Sequence, residues 1–592
     1  QYLCSEFSKS KVMSVPLMLG IKFVSFLRVF LMITFLLQAV GSEKVWAETV
    51  FSKKGVVASR SSLASAVGAK IMEQGGNAID AAVASGFALA VTYPSAGNLG
   101  GGGFMVIRLA DGQIITNDHR EKAPLLATKD MYLDGNKEII KGLSTRSHLA
   151  SGVPGTVAGL IDVLEKFGTM PLAKVIQPAI DLAKDGFILS EDIARQFESR
   201  TKDFSPYIAS MEVFTKAGEP YKPGELFLQT DLSRTLMRIR QLGKKGFYEG
   251  ETAELIVQEM KRGGGLISKE DLLAYESVWR EPIWGTYRGF EIASMPPPSS
   301  GGVLLVQMLN MLENFDIAGL GFGAPETAHA MIEAQRRAYA DRSEYLGDSD
   351  FYPVPIEKLI DKDYAKERFN DFEVGKAGFS EATGPGLLAK ESLETAHLSI
   401  IDDLGNAVAY TTTLNLSYGS KIVVDGAGFL LNNEMDDFSA KENEPNWFGL
   451  VGRKANAIEP EKRMLSSMTP TIVLKDGEPF LVTGSPGGST IITTTLQVIL
   501  NVIDHGMNLS DAVASPRFHH QWRPDRVIHE ETAFTTQTKN ELLQMGHRNV
   551  NIHPGYYGGG IGDANSVMKL PDGFIGVSDP RNAGGAKGVG VR

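Results

Sequence analysis

Four pairs of short alternating segments, each bent about a turn that carries Asp and Gly, constrain this chain more than any other feature of its sequence. Residues 104–107 and 114–115 flank Ala110-Asp111-Gly112, and residues 395–401 and 407–415 flank Asp403-Leu404-Gly405. Residues 471–474 and 480–483 flank Asp476-Gly477, and residues 566–568 and 574–577 flank Pro571-Asp572-Gly573. Asp and Gly tolerate the left-handed backbone that tight hairpins require, so each pair predicts two antiparallel strands. Helical spacing fills the rest. Residues 63–90 are rich in alanine and break at Gly75-Gly76, which predicts two packed helices. The stretch from about 150 to 350 is mostly helical in pattern, with Ala328, Met331, Ile332 and Tyr339 on one stripe of a helix over 325–346. Residues 491–503 read as a buried helix, whereas 372–394 have no apolar period and predict an exposed loop that ends at Thr395. Hairpins in both halves with helices around them imply an α+β fold in which helical layers cover antiparallel sheets.

Composition narrows the function classes. With 592 residues, 43% hydrophobic and 22% charged, the chain is long and apolar enough for a large core. A formal charge of −11 without a basic cluster gives no footprint for a polyanion, so no nucleic acid is expected as partner. The single cysteine, Cys4, precedes the first plausible initiator, Met13, which excludes a disulfide framework. Residues 1–47 read as upstream sequence followed by a secretory signal: Lys22 and Arg28 precede an apolar run over 29–40, and Val45-Trp46-Ala47 offers a small-residue cleavage site. The run is shorter than a bilayer span, although an uncleaved anchor is the competing reading. Export without disulfides suits a bacterial periplasm.

The second hairpin carries a chemical expectation. If Asp403-Leu404-Gly405 is a three-residue loop, paired residue numbers add to 808 and Thr395 faces Thr413, with Cβ atoms about 5 Å apart. Asn415 then falls on the same face, and a slip of one residue would turn Thr413 away. A threonine hydroxyl is a weak nucleophile, and no Ser-His-Asp set is evident to activate one. Breaking the Glu394–Thr395 bond would give Thr395 an α-amine of pKa near ~7.8, able to take the proton from its own hydroxyl. Threonine-rich strands are also simply good β-formers. Gly487 and Gly488 lie in a strand-to-helix turn, where unobstructed N–H groups and a helix start can hold an oxyanion, or where a tight turn alone is needed.

At this point the sequence resembles the γ-glutamyltranspeptidase family. The resemblance rests on Gly-Gly-Asn-Ala-Ile-Asp-Ala-Ala at 75–82, the glycine run 100–103 before Phe104, and Asp-His-Arg-Glu at 118–121. It continues through Pro-Pro-Pro-Ser-Ser-Gly-Gly at 296–302, Glu-Thr-Ala-His at 394–397, Leu-Asn-Asn-Glu-Met-Asp-Asp-Phe at 431–438 and Leu-Ser-Ser-Met at 465–468. It implies an N-terminal nucleophile hydrolase, a four-layer αββα sandwich cut into a large chain over 48–394 and a small chain over 395–592 that remain associated. The resemblance makes Thr395 the nucleophile, Thr413 its hydrogen-bonding partner, and Gly487 and Gly488 the oxyanion hole. Arg120, Ser466 and Ser467 match residues that hold the donor's α-carboxylate, and Asn415, Glu434 and Asp437 those around its α-amine. These types suit their roles, because a guanidinium pairs two ways with a carboxylate while acids and an amide oxygen suit an ammonium. The implied substrates are glutathione or other γ-glutamyl compounds, the implied acceptors water, amino acids or dipeptides, and no metal or organic cofactor is implied.

Two positions depart from some relatives: Glu434 stands where certain members have glutamine, and Phe448 replaces a tyrosine in a substrate-covering loop. Same-family alternatives are a glutaryl-cephalosporin acylase and a poly-γ-glutamate-cleaving amidase, and a pocket-retaining binding protein is the alternative from another class. Three other signals read as structural: Gly347-Asp348-Ser349-Asp350, His519-His520, and the glycines at 558–562.

Overall fold

Neighbouring side chains on the strand Gly102–Arg108 enter different cores: Phe104 and Val106 pack into one, Met105 and Ile107 into another. The same alternation divides Val56 and Ala58 from Val57, and Ile472 and Leu474 from Val473. A period of two therefore sorts each strand's residues between two apolar layers. The computed structural model, which describes residues 47–383, 395–553 and 560–591, shows what those layers are.

One seven-stranded sheet runs Glu48–Ser52, Gly573–Ser578, Ser566–Leu570, Glu478–Thr483, Thr471–Lys475, Phe290–Ser294, Ile283–Tyr287, with all neighbours antiparallel. The other runs Gly585–Gly588, Gly55–Ser59, Ala396–Asp402, Ala407–Thr413, Gly102–Arg108, Ile114–His119, Val278–Arg280, also antiparallel throughout. Their inner faces share a core of Phe104, Ala409, Ile472, Val482 and Val567. Helices Ser62–Glu73, Ala78–Thr92 and Thr156–Phe167 cover the outer face of the second sheet, and Gly301–Leu312, Pro325–Tyr345 and Thr490–Ile503 cover the first. The architecture is the four-layer αββα sandwich. Each fully buried Val, Leu, Ile or Phe contributes about 1.5–3 kcal/mol to it.

Local chemistry explains the main elements. Asn77 and Asp80 form a reciprocal capping box at the start of Ala78–Thr92, directly after the break at Gly75, whose φ is 93°. A Cβ on Gly68 would lie 2.3 Å from Ser85 Oγ, so the small residues permit the close approach of the first two helices. The hairpin 396–413 has the expected register: Ala396 pairs with Thr412 and Ile401 with Ala407, with Gly405 at φ 88° closing the loop. Two expectations need correction. Helix Pro325–Tyr345 does not bury a single stripe, because all residues from 327 to 343 are buried. Most of its buried charged residues pair with one another or with neighbours, as Glu333 does with Arg336 and Arg337. The strand reaching the site ends at Thr413, so Asn415 arrives through a left-handed turn at φ 74° and not by strand alternation.

Candidate active site

Thr395 is the residue just before the strand Ala396–Asp402, and continuation of the register sets it opposite Thr413. Both are buried, at 5% and 2% exposure. Asn98 fixes the far strand, its amide nitrogen donating to the Thr413 carbonyl (2.8 Å) and Thr412 Oγ1 (3.0 Å) while its oxygen accepts from Gly101 N and Thr156 Oγ1. The adjoining glycines allow this contact, since a Cβ on Gly101 would lie 2.1 Å from the Thr413 carbonyl oxygen. Thr413 Oγ1 in turn accepts from Asn415 N at 2.8 Å.

One pocket is lined by Thr395, Thr413, Asn415, Arg120, Glu434, Asp437, Ser466, Ser467 and Gly488, with Phe448 at its side. Gly487 is adjacent in the chain. Glu394 lies outside the described residues. Arg120 follows the strand Ile114–His119 and is oriented from all sides: Nε donates to Met464 O (3.2 Å), Nη1 to Glu434, and Nη2 to Asp437 Oδ2 (2.5 Å). Glu121 is 3.7 Å away. Two buried carboxyls, Glu121 and Glu434, and the partly buried Asp437 thus surround one guanidinium. Burial disfavours the Arg120 charge, but Glu434, Asp437 and Glu121 outweigh it and raise its pKa. Burial likewise pushes Glu434 well above the carboxylate range despite Arg120, raises Asp437, and brings Glu121 up to about 7. Such a cluster retains a proton near neutral pH.

Two unpartnered polar atoms belong to residues that line the pocket. Among the described residues, Asn415 Oδ1 and Glu434 Oε2 are buried acceptors without a hydrogen-bond partner. Buried acceptors in that state are costly, and an ammonium group would satisfy both. In the same pocket, Ser466 Oγ accepts from Met468 N (3.1 Å) and Ser467 Oγ from Arg342 Nη2 (3.2 Å), which leaves each hydroxyl proton to donate. Ser466 is pinned by the segment 298–300: its N–H donates to Pro298 O and its carbonyl accepts from Ser300 N. The site can therefore hold a zwitterion, with a carboxylate toward the serines and an ammonium toward the acids.

Gly487 and Gly488 have φ of 135° and 53° and lead into the helix Thr490–Ile503, whose positive end faces them. The loop bearing Phe448 is tied to the pocket floor, since Asn446 Nδ2 donates to Asp437 Oδ1 (3.1 Å) and Trp447 N to Asp436 Oδ2 (2.9 Å). His397, two residues from Thr395, is no rival base. Burial lowers its pKa to about 3, and its ring nitrogens engage Thr411 and Ser399.

The remaining sequence signals have structural surroundings. His519 contacts Thr493 and Gln521, while His520 contacts Asp525. Asp348 caps its own turn and accepts from Arg463 N. The glycines at 558–559 lie outside the described residues. His329, Glu333 and His547 bring ligand-type atoms within 4.8 Å of one another, but Arg336 and Arg337 already neutralise Glu333. Sequence reading missed Asn98, Asp436 and Arg342. Their importance comes from distant partners, which no local spacing reveals.

The whole chain also resembles known proteins. The sequence profile of the family described as Gamma-glutamyltranspeptidase matches residues 64–589. A glutathione hydrolase proenzyme of Escherichia coli (strain K12) is 51% identical over 547 residues, covering 92% of this chain and 93% of that protein. The crystal structure of a cephalosporin acylase from Bacillus halodurans superposes with a TM-score of 0.80 at 26% identity, over 92% of this chain and 97% of the other. That of Helicobacter pylori gamma-glutamyltranspeptidase superposes with a TM-score of 0.53 at 51% identity, over 53% of this chain and 91% of the other.

Proposed function

This chain belongs to the gamma-glutamyltranspeptidase family, and from that premise we propose how its residues carry out the reaction. The protein is a self-processing γ-glutamyltransferase and glutathione hydrolase. Thr395 Oγ attacks the Glu394 carbonyl, and hydrolysis of the resulting ester leaves a chain over 48–394 and a chain over 395–592. The freed α-amine of Thr395 then takes the proton from its own hydroxyl, which attacks the γ-carbonyl of glutathione or another γ-glutamyl amide. Gly487 and Gly488 receive the oxyanion, the leaving amine takes the proton, and a γ-glutamyl-threonyl ester remains. Water, an amino acid or a dipeptide amine resolves that ester. Arg120, Ser466 and Ser467 hold the donor's α-carboxylate; Asn415, Glu434 and Asp437 hold its α-amine. No step calls for a metal or organic cofactor.

The observation that carries this reading is the common pocket: a threonine at the head of a strand shares it with hydroxyl and guanidinium donors and with unpartnered acceptors. Association of the two chains after scission is supported by their interleaving. Gly55–Ser59 lies between Gly585–Gly588 and Ala396–Asp402, and Gly102–Arg108 beside Ala407–Thr413, so separation would break both edges of the small chain's hairpin. Export to a bacterial periplasm belongs to the same proposal; among the described residues no helix is long and apolar enough to cross a membrane.

The decisive variant is Thr395→Ala, expected to give one unprocessed band on a denaturing gel and no release of p-nitroaniline from γ-glutamyl-p-nitroanilide. Continued scission at that bond would refute self-processing. The acids around the ammonium end also argue against an acylase preference, because a glutaryl group has no α-amine to compensate them. Wild-type protein should therefore turn over the γ-glutamyl anilide faster than the glutaryl anilide, with glycylglycine as acceptor increasing the former rate.

A further inference from the structure

The Arg120 side chain is already engaged. Its guanidinium contacts Glu434 and Asp437, and Glu121 is 3.7 Å away, so an incoming carboxylate meets donors that carboxyl groups already engage. A second cation lies behind the serines. Arg342, on the helix Pro325–Tyr345, is 4% exposed and enters no ion pair with any described residue. Its Nε donates to Ser300 Oγ at 2.9 Å and its Nη2 to Ser467 Oγ at 3.2 Å. Ser300 Oγ passes the contact on, donating to the Ser466 carbonyl at 2.6 Å.

We propose that Arg342 is a positioning residue for the donor's α-carboxylate, acting through Ser467 and, by way of Ser300, on the segment that carries Ser466. Ser467 Oγ accepts from a guanidinium, so its own proton is directed away from Arg342 and is polarised for donation into the pocket. The buried charge of Arg342 adds positive potential behind the serines to that of Arg120. Burial lowers the Arg342 pKa only to about 10, and the group remains protonated at neutral pH. Asp437 acts on Arg342 through charge without reaching ion-pair distance, and a carboxylate held by Ser466 and Ser467 supplies the adjacent anion that offsets a costly buried cation.

This inference rests on the assignment of Ser467 to the α-carboxylate, and a double-mutant cycle separates the two claims. Steady-state kinetics with γ-glutamyl-p-nitroanilide would be measured for the processed forms of wild type, Arg342→Gln, Ser467→Ala and the double variant. Loss of one charged hydrogen-bonding partner predicts that R342Q raises KM by about tenfold to a hundredfold, with kcat held within about threefold. In the S467A background the same change should raise KM by less than about twofold. Full additivity, or a fall in kcat with KM unchanged, would overturn the role of Arg342. An unchanged KM for S467A alone would instead overturn the carboxylate assignment beneath it. If R342Q does not yield two-chain protein, Arg342→Lys completes the cycle: it keeps the charge but loses the forked contact, and its smaller KM increase must likewise vanish with S467A.

Discussion

A methyl group on Gly488 would lie 2.5 Å from Cδ1 of Phe448, and the residue already has a φ of 53° that costs an L-amino acid about 1–2 kcal/mol. Two demands therefore meet at one position: a left-handed turn that leads into the helix Thr490–Ile503, and room for the ring that covers the pocket. Gly488→Ala should lower kcat/KM for γ-glutamyl-p-nitroanilide by about a hundredfold, the scale of a displaced oxyanion donor. Adding Phe448→Ala should restore part of that loss, because the clash goes while the backbone strain stays. A double variant no better than Gly488→Ala would show that the ring is not the obstacle. At this scale the sequence was partly informative. Residue type alone makes Arg120, Glu434 and Asp437 plausible partners for a charged ligand, and the pocket brings them together. Taken as isolated residues, Arg120 and Asp437 read as ordinary ion-pair members, and they do pair; what type alone does not reveal is that Arg342 stands behind Ser467.

The hairpin that ends at Thr395 and Thr413 is the element whose geometry was most legible, because turn chemistry and a period of two fix register locally. Asp402 shows how that local unit is tied to the rest. Its carboxylate accepts from Leu404 N (3.1 Å), Asn406 N (2.9 Å) and Asn406 Nδ2 (2.8 Å) within the loop. It also accepts from Ala78 N (2.9 Å) at the start of the helix Ala78–Thr92. Asp402→Ala would leave these donors buried and unpaired, a loss of about 3 kcal/mol. A lower urea midpoint with retained processing is the expected outcome, and an unchanged midpoint would show that water replaces the carboxylate at no cost. The neighbours of the hairpin were not legible. Pairing of Ala396–Asp402 with Gly55–Ser59 joins residues far apart in sequence, and alternation specifies that a strand has two faces without specifying which strand lies beside it. Helix Pro325–Tyr345 illustrates the complementary difficulty, since its buried charges, read as a sequence, are those of a solvated face.

Across the whole molecule, the response to acid follows from two opposed sets of buried groups. Burial lowers His119, His397 and His547 to about 3 and His520 to about 4, so these rings are neutral in the folded protein and charged in the unfolded chain below about pH 6.5. In that window the unfolded chain binds more protons, and stability falls with falling pH by roughly 1.4 kcal/mol per pH unit for each histidine. Glu121 and Asp436, both raised to about 7 by burial, act in the other direction: between about pH 4.5 and 7 the folded protein binds more protons, so their contribution is lost as pH rises. Glu434, raised for the same reason, joins them. From pH 6.5 to 4.5 the two sets largely oppose each other. Below about 4.5 the two glutamates, and below about 3.8 Asp436, are protonated in both states and cease to compensate, while the histidine contribution continues to fall. Glu333 and Asp579, held at about 2 by arginines that outweigh their burial, then add their own loss as pH drops toward those values. Urea midpoints followed by near-UV circular dichroism should consequently change little between pH 6.5 and 5 and fall steeply below 4.5. A uniform decline from pH 7, without that break, would mean that the buried carboxyls do not carry the extra protons. The break should also be cooperative, because His119 and His397 lie in one sheet while His520 and His547 lie near the helix Pro325–Tyr345 over the other, so acid weakens both halves of the sandwich together.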